Sequence, residues 1–216
     1  MDETDNGDDL VGIDPDTEAS LPGRIDGSIL KYSLHYPGFL IVFLGVFIFT
    51  QISGLYFASM ASSRLSISLG FSIIVLLICI RVYWSHVKAM CYHGDLCAGQ
   101  VISLRPVKVA VYTDLDTSGN PCPVIKIIRL PNSFLLRMPI KIGDLVACVA
   151  LYHHHLDEEG RWGDFDPKPV QCLTYDNQQI KRAILRIPNE LWQNLDKGIA
   201  QIGQKRNHNG LYYIDE

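Results

Sequence analysis

Two uncharged hydrophobic stretches follow one another in the first half of the chain. No side chain with a fixed charge lies between Lys31 and Arg64, and none lies between Arg64 and Arg81. The hydrocarbon core of a bilayer is about 30 Å thick and needs roughly 20 helical residues to cross it. We therefore predict two transmembrane helices, over residues 38–60 and 66–84, the second completed by Arg81 reaching the membrane surface.

From about residue 94 the apolar positions alternate, which is typical of β-strands. Runs rich in Val, Ile and Tyr are separated by segments rich in Gly, Pro, Asn and Asp, such as residues 114–123. A continuous apolar run, Leu145–Tyr152, fits a buried central strand. The predicted strands cover residues 100–104, 108–113, 124–130, 145–152 and 170–174.

The C-terminal pattern indicates two helices. Asp176 with Gln179 three residues later forms a helix-start signal, and an isoleucine stripe follows. Pro188 interrupts this helix, and a second one is predicted from about Asn189 until Gly203 ends it.

These elements predict an α+β protein. A two-helix transmembrane hairpin is followed by a small antiparallel β-sheet or partly closed barrel with C-terminal helices. The predicted division is a disordered acidic tail over 1–30, the hairpin over 31–88, and a soluble β-rich domain over 89–216 whose helices begin near residue 176.

Charge is distributed unevenly along the 216 residues. Residues 1–23 contain eight acidic side chains and no basic one, and this composition predicts disorder. From Cys91 to the end, 14 basic residues balance 14 acidic ones. A neutral soluble part argues against nucleic acid as a partner.

Basic residues flanking the spans predict the orientation of the chain. Arg24 and Lys31 precede the first span, Arg81 and Lys88 lie at the end of the second, and the link between them has only Arg64. The positive-inside rule then places both termini in the cytosol. The prediction is an integral membrane protein, with the lipid bilayer as its first partner.

Two groups of residues are candidate metal ligands. His153 and His155 could share one face of an extended segment that continues into acidic residues, and imidazole suits zinc. Cys91, His93 and Cys97 form the second group, although no matching pair of ligands follows them. A polar loop and ordinary buried cysteines explain both groups more simply, so no metal, cofactor or catalytic residue is assigned.

Residues 161–169 form a third candidate. Asp164 and Asp166 stand beside Trp162 and Phe165, and paired carboxylates near aromatics can perform acid–base chemistry. The simpler interpretation is that Trp162 and Phe165 insert into the core as a hydrophobic plug.

Several short motifs resemble one family. They are Ala98–Val101, Val109–Asp114, Ile142–Asp144 with Val149–Tyr152, and Trp162–Pro169, all following two hydrophobic segments. Together they are similar, over roughly residues 30–200, to an uncharacterised bacterial membrane-protein family with two N-terminal transmembrane helices and a soluble β-rich domain of unknown function. The resemblance implies a location in a bacterial inner membrane and supplies no activity.

The predicted function is a membrane-anchored, non-catalytic cytosolic interaction module. It would bind a protein partner or self-associate through the hairpin. The alternatives are a membrane-tethered metal-dependent hydrolase using the segment from His153 to Glu159, and an accessory subunit of a larger membrane complex.

Overall fold

The structure is a computed structural model of the chain. It describes residues 19–58, 62–116, 121–130, 140–152, 161–203 and 208–215, and within the helices it leaves out the side chains of residue 39 and residues 53–72. Residues 1–18, most of the predicted acidic tail, lie outside the described residues.

Three helices precede the sheet. Helix α1 spans Ile29–His35, α2 spans Gly38–Ala58 and α3 spans Ser62–His93. Helices α2 and α3 contact each other, and the apolar side chains described on α2 and the middle of α3 are largely exposed. Helix α3 is longer than the predicted second span, because its last turns belong to the folded body: Val87, Met90 and Cys91 are buried.

Among the described residues, one segment qualifies as a membrane span on its own, Ile73–His93. A second candidate arises only if Ile29–His35 and Leu40–Ile52 count as one broken span, and these two pieces meet at 91°. Of the two predicted membrane helices, one is therefore long and apolar enough to cross a membrane, as judged from its length and composition alone.

A six-stranded sheet forms the body. In chain order its strands are β1 Asp95–Leu104, β2 Val107–Asp114, β3 Pro123–Arg129, β4 Leu145–Tyr152, β5 Phe165–Pro169 and β6 Gly210–Tyr213. They lie in the order β5-β4-β1-β2-β3-β6, and every neighbouring pair is antiparallel. Helices that stand before and after an antiparallel sheet confirm the predicted α+β class. The sheet is curled into half a barrel, in line with the predicted partly closed barrel.

Both faces of the sheet are buried, and alternation along each strand separates them. On the helix-covered face, Leu96, Ala98, Ala110 and Ala147 are at most 1% exposed. The small alanines leave room for the C-terminal helix Asn189–Ile202, which contacts β1 and β2. The opposite face holds a second cluster, which includes Cys97, Val109, Val111, Val124, Val146 and Cys148.

Two C-terminal helices cover the first face, as predicted. Helix α4 spans Asn177–Arg186, and the Asp176 carboxylate caps it by accepting the Gln178 and Gln179 amides. Helix α5 spans Asn189–Ile202 and ends at Gly203, whose φ of +47° favours glycine. The predicted helix start at Asp176 is confirmed, and the Gln179 Oε1 accepts the Asp26 amide of the segment that precedes α1.

The strand predicted over residues 170–174 is wrong. Val170–Cys172 form a 3-10 turn, and the strand lies upstream as β5. Pro167 and Pro169 hid this strand, since proline lacks the amide that an interior strand needs. They are tolerated because β5 lies at the edge of the sheet and pairs only with β4.

Residues 21–25, named the N-terminal strap here, run against the junction between α3 and β1. The amides of Gly23, Arg24 and Ile25 donate to the carbonyls of Gly94, Tyr92 and Cys91, at 2.8, 3.0 and 3.0 Å. Arg186 of α4 donates to the carbonyls of Pro22 and Gly23, at 2.6 and 2.9 Å. The strap is therefore part of the β-rich body, although the sequence-based division counted it with the tail.

Helix α1 also belongs to this body. Lys31, Tyr32, Ser33 and His35 are buried. The Lys31 Nζ donates to the Thr174 carbonyl at 2.5 Å and lies 4.7 Å from the centre of the Tyr175 ring. The segment before α2 and the domain after α3 are consequently packed as one unit.

Candidate functional site

The predicted cysteine–histidine group does not converge. Cys91 is buried among the residues of the helix-covered face, while Cys97 belongs to the cluster on the opposite face. His93 is exposed at the end of α3, with its ring 5.0 Å from that of Tyr92. His153 and His155 lie outside the described residues. Within the part of the chain that the structure describes, no three His, Cys, Asp or Glu side chains are grouped so that they could hold a metal ion.

Three buried cysteines meet on the opposite face instead. Cys97 and Cys148 are direct partners across β1 and β4, and Cys172 is fully buried in the same cluster. All are free thiols. Burial raises the pKa of Cys172 to about 12 and the pKa of Cys148 well above its ordinary value. At neutral pH these thiols are protonated, so they pack as small apolar groups and are poor nucleophiles.

One end of the opposite face is polar. It is formed by one residue from each of three strands: Asp95 of β1, Thr113 of β2 and Tyr152 of β4. Each lies two positions along its strand from a buried residue of the opposite face, so all three lie on that face. The Tyr152 hydroxyl donates to Asp95 Oδ2 at 3.2 Å and lies 2.6 Å from Thr113 Oγ1. Because a phenol has one hydrogen, Thr113 is the donor in the second bond. We name these three residues the polar triad.

The triad is tied to the N-terminal strap. Asp95 Oδ1 accepts the Leu21 amide at 2.8 Å. Burial raises the pKa of Asp95 above its ordinary value, while the hydrogen bonds from Leu21 and Tyr152 act in the opposite direction. Burial also raises the pKa of Tyr152 well above its usual range. The Asp95 carboxyl group therefore serves to fasten the strap, and its buried oxygens are hydrogen-bonded as buried polar atoms generally are.

The segment 161–165 crosses the end of the opposite face and links its two sides. The Trp162 amide donates to the Leu115 carbonyl at 3.0 Å, and the Trp162 ring stacks on Tyr152 with ring centres 5.9 Å apart. Phe165 is fully buried. The predicted insertion of Phe165 into the core is confirmed, and Trp162 packs against the same cluster while partly exposed.

The two carboxylates predicted in this segment are held by lysines. Asp164 forms a 2.8 Å ion pair with Lys126 of β3, whose Nζ also bonds the Phe165 carbonyl. Asp166 pairs with Lys168 at 2.9 Å. The Lys126 bonds join β3 to the far edge of the sheet, whereas the Asp166–Lys168 pair lies within β5. Each carboxylate is paired with a lysine, and this pairing competes with an acid–base role for either one.

Sequence reasoning did not find Lys126 or Asp95. The signal for Lys126 was present, since it is the one charged residue within the apolar alternation of residues 124–128. Its partner could not be found, because Asp164 is 38 residues away along the chain.

Taken together, the body is an α+β half-barrel whose buried polar groups mostly bind one another or the backbone, attached to two exposed apolar helices. Residues 84–203 match the family described as "Protein of unknown function (DUF3239)". The match takes in more than half of the chain, so the chain belongs to this family. It begins where α3 enters the body, so α1, α2 and the strap lie outside it.

Other comparisons add little. A solved chain described as "a putative membrane protein from Corynebacterium diphtheriae" is similar with 20% identity and a TM-score of 0.45, over 56% of this chain and 100% of that one. No curated protein matches the chain.

Proposed function

We propose that this protein is a membrane-anchored, non-catalytic interaction module whose β-rich body is held against a membrane surface. The observation that carries the proposal is the exposed apolar surface of α2 and α3. Residues such as Ile41, Phe49, Leu77 and Val82 lie on the outside of the molecule. Contiguous apolar surface of this kind marks contact with lipid or with another protein.

The lengths of the two helices support lipid as the solvent. Helix α2 is about 31 Å long at 1.5 Å per residue. The part of α3 that precedes the body, residues 62–82, is also about 31 Å long. Both match the hydrocarbon core of a bilayer, which is about 30 Å thick. From Tyr83 onward α3 packs against the body.

Packing of the N-terminal strap and α1 against the body supports a return of the chain to the same side of the membrane. Residues 21–35 hydrogen-bond to residues 91–96, 173–174 and 186, so the chain before α2 and the chain after α3 form one body. A single crossing between them would pull this body apart. The helices then cross an even number of times, which supports a hairpin with both flanking segments on one side of the membrane.

The interaction role rests on the way polar groups of the body are used. Asp95 fastens the strap, the Lys126–Asp164 pair joins β3 to the segment that leads into β5, and Asp166 pairs with Lys168 of its own strand. A rigid body with such internal bonding suits presentation of a surface at the membrane. The partner is a protein or a second copy of this chain, and an accessory place in a larger membrane complex is one form of the same role.

Metal content and membrane extraction test the proposal together. The full chain is expected to resist extraction by alkaline carbonate, to dissolve in mild detergent, and to purify with far less than one equivalent of zinc. The double variant His153→Ala/His155→Ala should match it in zinc content. Stoichiometric zinc that this variant loses would instead support the hydrolase, and release by carbonate would refute the anchor.

A further inference from the structure

Helix α1 divides its residues between the body and the surface. Lys31, Tyr32 and His35 are buried against the body. Leu30 is 62% exposed and Leu34 is 41% exposed, and Ile29 beside them is 38% exposed. An apolar face is thus left uncovered on a short helix whose other face is fixed by packing.

Helix α1 stands directly before the apolar helices in the chain. Helix α1 is followed at once by α2, and its axis makes a 91° angle with residues 40–52. If α2 runs along the membrane normal, α1 lies in the plane of the membrane. Leu40, six residues after Leu34, begins the exposed apolar side chains described on α2.

Aromatic side chains cluster around the contact between α1 and α3. The Tyr32 ring lies 5.1 Å from Tyr36 and 6.1 Å from Tyr83, between centres, where α1 meets α3. One residue further along α3, Trp84 lies under the Lys88 ammonium at 5.8 Å. Tyrosine, tryptophan and lysine are enriched where a membrane protein passes through the headgroup layer.

We infer that α1 is a membrane-surface helix, with Ile29, Leu30 and Leu34 inserted at the boundary between headgroups and acyl chains. This inference rests on the proposed anchoring. It adds a contact that α2 and α3 do not supply. Because the helix that touches lipid is also packed into the body, the body is held directly against the bilayer. A body held in this way always presents the same side to a partner.

Site-directed spin labelling of the full chain in vesicles tests this contact. Of the six cysteines, the five in the body are at most 5% exposed, and only Cys79 is partly accessible. The parent protein is therefore Cys79→Ser, which should take up almost no label. Single cysteines are then introduced as Leu30→Cys, as Leu34→Cys for a second position on α1, as Ile78→Cys on α3, and as Leu185→Cys on α4.

The readout is collision of the label with oxygen, which concentrates in lipid, against collision with a water-soluble nickel complex. The vesicles contain three parts zwitterionic to one part anionic phospholipid. Labels at residues 30, 34 and 78 should favour oxygen, with those at 30 and 34 shallower than that at 78. Leu185 is 82% exposed and apolar but lies on α4, so its label should behave as if in water and serves as the matched control.

Each other outcome is decisive. Labels at 30 and 34 that behave like the one at 185, while that at 78 remains in lipid, overturn the surface helix and leave the anchor standing. Labels at 30 and 34 shielded from both reagents point to a protein covering α1, and this also overturns the inference. A label at 78 that lies in water refutes the anchor itself.

Discussion

The link between α4 and the N-terminal strap is open to a direct energetic test. Arg186 donates two hydrogen bonds from a charged group, to the Pro22 and Gly23 carbonyls. Arg186→Ala removes both. Hydrogen bonds that involve a charged group contribute about 1.5–3 kcal/mol each. Because Arg186 is only partly buried and water can reach the freed carbonyls, we expect a total loss of about 2 kcal/mol.

Hydrogen exchange of individual amides measures this loss where it occurs. The Gly23, Arg24 and Ile25 amides are bonded to α3 and Gly94, and they exchange when the strap opens. A loss of about 2 kcal/mol should speed their exchange roughly 30-fold. The hydrogen bonds described for the strap involve α3, the start of β1 and Arg186, so amides in the middle of α5 should keep their rates.

Arg182→Ala is the matched control, since Arg182 lies one turn earlier on α4 and contacts only Gln178 at 3.4 Å among the bonds seen for it. It should leave strap exchange unchanged. The reasoning is refuted if Arg186→Ala leaves the strap amides as slow as before, or if it speeds exchange equally in α5, which would mean global loss of stability.

Three further results are expected in the body. Gly94→Ala should prevent stable folding, because a Cβ there would lie 2.5 Å from the Met90 carbonyl oxygen and 2.8 Å from that of Ala150, whereas Gly45→Ala, with open space around it, should fold normally; thermal unfolding compares the two. Phe165→Ala should lower the free energy of unfolding by about 3–5 kcal/mol in denaturant titrations, since a fully buried ring is lost; a loss below 1 kcal/mol would contradict the plug. Asp95→Asn should flatten the dependence of stability on pH: the pKa of Asp95 is raised on folding, so its contribution is complete below the pKa of the unfolded chain and is lost as pH rises through the folded value. Titrations from pH 3 upward check this, and an unchanged pH profile in the variant would show that Asp95 is not the group responsible.

Local signals explain which parts of the fold were predictable. Helices α4 and α5 began and ended where the sequence indicated, because Asp176, Pro188 and Gly203 act on their immediate neighbours. Strand β4 was found over its full length, since a buried strand of eight residues is a continuous apolar run. These elements depend on information contained within a few residues.

The elements that were missed depend on distant partners. The strap has no apolar periodicity, and its bonds reach residues about 70 and 160 positions away. Strand β5 contains two prolines and is permitted only by its edge position. Strand β6 is four residues long and exists because β3 offers it an edge. The polar triad and the Lys126–Asp164 pair were hidden for the same reason, as each joins strands that the chain brings together only after folding.

The side of the membrane on which each segment lies tests the central claim most directly. In the Cys79→Ser background, single cysteines replace Asp26 next to the strap, Ser63 in the first turn of α3, and Glu190 on α5. Sealed membrane vesicles of known orientation are then treated with a membrane-impermeant maleimide. We expect the cysteines at 26 and 190 to react from the same side and the cysteine at 63 to react only from the other. Reaction of 26 and 190 from opposite sides, or of all three from one side, would contradict the account of one packed body joined by two membrane crossings.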